Sequence, residues 1–165
     1  CQAMLIYGAK SQLQFEYHLE DLADQGLSYT LEDVGTLGTT TFPAGFEDAC
    51  GIKFYGSSLI LESETTYRLY FTVTDQAKLD ALTVKLGEET LSYGTRDNLI
   101  YFDIADIPAV YVFKDHTLRF GDISVTANAG TYVTRVFASG DETLTTTVKA
   151  LYWYSMAAKT YFGVE

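Results

Sequence analysis

The sequence predicts a mainly β chain: an antiparallel β-sandwich, or a partly open barrel, with packed N-terminal and C-terminal helices. Three observations carry that expectation. Short runs of alternating apolar and polar residues recur between residues 54 and 126, bounded by turn residues. Thirteen Tyr and ten Phe, with only two Pro, suit a pleated and half-buried surface. Both ends of the chain carry a helical periodicity that the middle lacks.

Taken in order, Ala3 to Ser11 followed by Phe15 reads as the leading helix, and Tyr17 to Gly26 as a short helical turn ending at Gly26. Leu27 to Val34 is expected to be a first strand. Gly35 to Gly51 has the glycines, threonines and Pro43 of a loop. Phe54 to Leu61 is a strong strand candidate. Tyr67, Leu69, Phe71 and Val73 alternate with Arg68, Tyr70, Thr72 and Thr74, the clearest half-buried strand in the chain. Leu82–Leu86, Glu89–Tyr93 and Leu99–Ile104 follow, separated by hairpin signals at Gly87-Glu88 and at Gly94 through Asn98. Val110–Phe113, Thr117–Phe120 and Ile123–Thr126 extend the run, with a turn or bulge at Gly121-Asp122. Asn128-Ala129-Gly130 ends it, and Thr131 to Ser139 is expected to be a short helix.

Leu144, Val148, Leu151, Ser155, Ala158 and Phe162 then step by four and three along one face of a closing helix. Asp141-Glu142 stands at its start and Gly163 just past its end. The connections are too short for crossover helices, so pairing is antiparallel. One module of 165 residues is expected: a leading helical segment over 1–26, a sandwich core over 27–127 and a closing helical segment over 128–165.

The net charge of −11, from 22 acidic and 11 basic residues, opposes a phosphate backbone or an anionic membrane surface. No segment approaches the ~20 consecutive apolar residues that span a bilayer. The opening Cys1-Gln2-Ala3-Met4 reads as mid-helix and holds no leader, which suggests a piece of something larger. A Cys1–Cys50 disulfide stays open in an oxidising setting.

The two ends echo each other. With Ala3 set against Ala150, like residues fall at Met4/Leu151, Tyr7/Tyr154, Gly8/Ser155, Ser11/Ala158 and Phe15/Phe162. Met4 to Gln12, Phe15-Glu16-Tyr17 and Asp21 to Asp24 resemble the pattern "L-x-Y-G-A-A-A-Q-x-x-F-x-Y … N-L-A-N". Val148 to Phe162 resembles its partner "K-A-L-Y-x-Y-x-x-A-A-x-x-Y-F". Lys10-Ser11 in place of Ala-Ala, and Asp24 in place of Asn, depart from the pattern. Together these stretches are similar to β-rich modules with flanking "ALxYGxAAxxYF"-type helices in large secreted or surface proteins of anaerobic gut Firmicutes, found beside carbohydrate-active, adhesion or dockerin modules. The resemblance covers the outer third of the chain and the general strand layout between. It implies an extracellular, non-enzymatic accessory role, with neighbouring modules of the same polypeptide as partners.

Residues with catalytic or metal chemistry are few. His18 and His116, with Asp21 or Asp115, lack the spacing of a zinc site. A Cys50/His116 nucleophile pair, and paired carboxylates drawn from the 22 acids, have no pattern behind them. No enzyme and no cofactor is expected. A structural calcium remains open at Glu47-Asp48, at Asp103 with Asp106, or at Asp122. The glycines of Gly35-Thr36-Leu37-Gly38 lack the lysine of a phosphate loop.

The functional hint lies in the aromatics. Arg68 and Tyr70 alternate with core residues on one strand, and Tyr101 and Asp103 do so on another. Were those outward faces neighbours, Arg68, Tyr70, Tyr101 and Asp103 would form a ligand platform for a polysaccharide. The competing expectation has the terminal helices covering that face. The sequence therefore favours a spacer or presenter module, with a carbohydrate-binding module as the alternative.

Overall fold

The structure, a computed structural model, describes residues 2–164. Cys1, and with it the disulfide expectation, lies outside the described residues. In chain order the elements are α1 (Gln2–Phe15), α2 (Phe46–Cys50), β1 (Ile52–Leu61), β2 (Thr65–Val73), α3 (Gln76–Ala81), β3 (Val84–Leu86), β4 (Glu89–Leu91), β5 (Gly94–Arg96), β6 (Leu99–Ile107), β7 (His116–Phe120), β8 (Ile123–Ala127), α4 (Gly130–Ser139) and α5 (Glu142–Phe162). They divide into two compact units, one of residues 38–108 and 114–132, the other of residues 2–37, 109–113 and 133–164.

The first unit is the sandwich. Its two four-stranded sheets run β1-β2-β6-β5 and β4-β3-β7-β8, every neighbour antiparallel. The chain lays down two strands in one sheet, two in the other, and repeats, so neither sheet closes into a barrel. Phe71 on β2 and Phe102 on β6 meet Phe120 on β7 at ring separations of 5.8 and 5.5 Å. Phe46 of α2 closes on Phe120 at 5.1 Å, edge to face. All four rings are buried, with Tyr67, Leu69, Leu118 and Val125 around them.

Alternation on β2 and β6 follows the sequence pattern, because a strand half-buried in a sandwich must send every second residue inward. The loop expectation for Gly35 to Gly51 misses α2, and α3 was not foreseen. Both helices are too short to show periodicity. α3 starts at Asp75, whose carboxylate accepts from the Lys78 amide at 3.2 Å.

A polar knot ties the segment before α2 to the end of β8. Asn128, 2% exposed, accepts from the Gly130 amide at 2.8 Å and donates to Asp115 at 2.8 Å. Its own amide donates to Thr40 Oγ1 at 3.0 Å, while the Thr40 amide donates to Thr131 Oγ1 at 2.6 Å. Thr40 Oγ1 also meets the Tyr67 hydroxyl at 2.9 Å. Buried polar groups of this kind cost the fold more when orphaned than they contribute when paired.

In the second unit α1 lies antiparallel to α5. Thr147 donates to the Lys10 carbonyl at 3.1 Å, and Tyr7 stacks on Tyr154 at 5.7 Å with the planes 14° apart. Asp141 caps α5 by accepting from the Leu144 amide at 2.9 Å. Gly163 ends the helix at φ 63°, a left-handed conformation that favours glycine. Val148, Leu151 and Ser155 of the expected stripe are buried, but its last member, Phe162, is 68% exposed.

Two expected strands are absent here. Leu27 to Val34 forms no ladder and is held along α5 instead: Trp153 Nε1 donates to the Glu32 carbonyl at 3.1 Å and Lys149 pairs with Asp33 at 2.6 Å. Val110–Phe113 begins in a 3₁₀ turn, Ala109–Tyr111, and continues as turn, with Phe113 against Tyr152 at 5.5 Å. Gln12 organises the turn after α1, donating to the His18 and Asp21 carbonyls and accepting from the Ala23 amide.

Asn128→Ala should lower unfolding free energy by about 1–3 kcal/mol in urea titration, since it orphans the buried Gly130 amide. A loss under about 0.5 kcal/mol would show that the knot is not structural.

Candidate functional site

Backbone register decides what meets on the open face of the first sheet. Arg68 of β2 pairs across to Asp103 of β6, and Tyr70 pairs with Tyr101. On the flanks, Ser58 of β1 pairs with Arg68, Gly56 with Tyr70, and Gly94 of β5 with Tyr101. Two rungs result: Ser58, Arg68 and Asp103 form one, and Gly56, Tyr70, Tyr101 and Gly94 form the next. Leu69, Phe71 and Phe102 turn into the core, so the rung side chains stand on the opposite face. The structure thus brings together all four residues of the expected platform.

Arg68 Nε and Nη2 each donate to one Asp103 carboxylate oxygen at 2.7 Å, a two-pronged pair with the side chains 17% and 31% exposed. The same guanidinium lies 3.7 Å from the centre of the Tyr101 ring. Tyr70 meets Tyr101 edge to face at 5.9 Å. Gly94 is bare for a reason: a Cβ there would sit 2.2 Å from Tyr101 Cζ, so the phenol end of the ring fills the space a side chain would take. The guanidinium covers the Tyr101 ring, and what the face offers is hydroxyls, a carboxylate edge and cationic nitrogens.

Hydrogen bonds to Asp103 push the Arg68 guanidinium further up, so it stays charged. Burial alone would raise the Tyr70 phenol. Hydrogen bonding with Ser58, Arg68 and Arg96 outweighs it and leaves the phenol below its ordinary value. The Ser58 hydroxyl lies 3.5 Å from that of Tyr70.

Arg96 and Ser58 are the members that sequence reasoning missed. Arg96 falls in what reads as a turn, yet it closes β5, opposite Leu99 and beyond a two-residue turn whose Asp97 has φ 53°. That two-residue spacing could have signalled a strand from Gly94 to Arg96.

Asp103 is held by Arg68, and Asp106 lies against Glu64, whose carboxyl is raised by that hydrogen bond and by the adjacent charge. Glu47 and Asp48 stand in the first turn of α2, and Asp122 in the β7–β8 turn. Among the described residues no three His, Cys, Asp or Glu gather as a metal-ligand set. His18 bonds Glu20 at 3.0 Å, and His116 is half-buried on β7. Cys50 is 2% exposed and burial pushes its thiol up, the opposite of what activates a nucleophile. The helical unit holds a cavity of about 150 Å³ lined mainly by Ile6, Leu31, Ala150 and Trp153, with Thr30 and Glu32 also on its wall, so that Glu32 is its single titratable group among the described residues.

A double-mutant cycle of Arg68→Ala with Asp103→Ala should give a coupling of about 1 kcal/mol at low salt, shrinking in 1 M NaCl. No measurable coupling would make the pair ornamental. By ultraviolet difference titration, one phenol should ionise ahead of the others and move back up in Arg96→Gln. Because the folded value lies below the unfolded one, this ionisation adds to stability as pH rises through the alkaline range.

Compared with protein-family models, with curated proteins and with solved structures, the chain matches none, and the reading of its function rests on the geometry above.

Proposed function

We propose that this chain is a non-catalytic structural and interaction module, a spacer or presenter in a secreted multidomain surface protein, whose helical unit contacts neighbouring modules of the same polypeptide. One observation carries the reading. Ten large hydrophobic side chains are exposed among the described residues, and eight of them belong to the helical unit: Met4, Leu5, Leu13, Phe15, Tyr17, Leu19, Tyr161 and Phe162. By the antiparallel pairing they fall in two sets, Met4, Leu5, Tyr161 and Phe162 at one end of the helix pair and Leu13, Phe15, Tyr17 and Leu19 toward the other. Grouped apolar exposure suits a contact surface, whereas singly scattered side chains need no explanation. Phe15 and Phe162, equivalent positions in the echo between α1 and α5, are 56% and 68% exposed. The helix that opens the module and the helix that closes it present the same kind of group.

Two copies joined in tandem should tumble as one body in NMR relaxation. Phe15→Ser combined with Phe162→Ser should release them while leaving each fold intact, because neither ring is buried. Independent tumbling of the unmodified tandem would sink the spacer reading.

A second reading has its own support. Arg68, Tyr70, Tyr101 and Asp103 stand side by side on an open sheet face, the composition of a sugar-binding surface. As a carbohydrate-binding module, the chain should be retarded in polysaccharide-loaded gels, and Tyr70→Ala or Tyr101→Ala should abolish the retardation. Unchanged mobility across a broad panel of polysaccharides would exclude it.

A further inference from the structure

The open face of the first sheet is electrostatically unlike the rest of the chain. Lys53 pairs with Thr72 in the ladder, so it shares a face with Tyr70 and Arg68, and Arg96 shares that face with its β5 neighbour Gly94. Three cations, Lys53, Arg68 and Arg96, thus stand with one acid, Asp103, in a chain of net charge −11. Asp103 is fully engaged by Arg68. Arg96 is exposed and, among the described residues, has no carboxylate within ion-pair distance. Of the other acids of this sheet, Glu62 and Glu64 stand in the β1–β2 turn with Asp106 against Glu64, while Asp97 follows Arg96 in the β5–β6 turn without pairing with it. The face itself thus carries more cations than acids, and its β5 corner holds a guanidinium that no carboxylate among the described residues engages.

Stacking is not what this corner is built for. The Tyr101 ring is covered by the Arg68 guanidinium and rests over Gly94. Hydroxyls of Ser58 and Tyr70 and the guanidinium of Arg96 converge instead. Hydroxyl donors and acceptors suit a sugar's own hydroxyls. A guanidinium not engaged in an ion pair suits a planar or trigonal oxyanion.

We propose that the Arg96 corner of this face binds an anionic saccharide, its acid group, a carboxylate or a sulfate ester, received by Arg96 beside the Tyr70 hydroxyl. The proposal rests on the glycan reading of the sheet face and adds the class of sugar. Arg68 positions Tyr101 and Asp103, and Arg96 makes the charge contact.

The test is a titration of the isotope-labelled chain with three probes, trigalacturonate, glucose 6-sulfate and neutral cellotriose, followed by amide shifts. An acidic probe should move the amides around Tyr70, Arg96 and Tyr101 where cellotriose does not. Arg96→Gln, an exposed substitution that leaves the core untouched, should weaken that binding about tenfold. Which acidic probe responds tells carboxylate from sulfate. Equal response to all three probes, unchanged in Arg96→Gln, would overturn the anionic proposal and leave the glycan reading standing. Shifts confined to other surfaces, or none with any probe, would overturn both.

Discussion

Both faces of the first sheet follow from one alignment, the pairing of Leu69 with Phe102 across β2 and β6. A slip of β6 by one residue would turn Phe102 to solvent and drive Asp103 into the phenylalanine cluster, away from Arg68. The sandwich core and the polar face are thus one decision. Burial of four phenylalanine rings holds the register, and the register delivers the arginine to its carboxylate. The arginine–aspartate pair is then a consequence of the core, adding specificity to an alignment that apolar contact has already set.

Irregularities in the ladder are placed where that decision allows them. β1 bulges at Tyr55, between Phe54 and Gly56, and β6 bulges where Thr65 and Tyr67 face Ile107 and Ile104. Both lie outside the two rungs that carry the site, so the pairing of Arg68 with Asp103 and of Tyr70 with Tyr101 stays regular. A bulge sharpens twist and re-aims side chains. Here the one on β6 leaves Asp106 at φ 54°, beside Glu64 and apart from Arg68.

Where the sequence was legible, a long-range constraint coincided with a local pattern. Residues 67 to 73 and 100 to 104 alternate because one side of each must enter the core, and the four platform residues could be named from those two alternations. Leu27 to Val34 has strand-like composition but no partner strand, and composition cannot reveal a missing partner. Val110 to Phe113 failed for the same reason, since its apolar residues serve a turn packed on α5. α2, α3 and β5 are too short for any period to register. Arg96 was hidden inside β5, and that Tyr101 would shelter under Arg68 depends on side-chain directions that no pattern encodes. Gly94, opposite Tyr101, was the available clue: a glycine facing an aromatic ring across a two-residue turn marks a place where the ring lies down.

The antiparallel pairing of α1 with α5 has a mechanical meaning. Since Thr147 meets Lys10 and Tyr154 meets Tyr7, the first turn of α1 and the last turns of α5 share one end of the pair. Tension applied through Gln2 and Phe162 would therefore load these contacts in series, opening the tyrosine stack before the threonine bond, one turn after another. Helices loaded in this peeling geometry yield progressively at low force, whereas strands pulled in shear resist until a whole ladder breaks. Under such a load the pair would act as a compliant clasp, lengthening under tension and closing again when it falls.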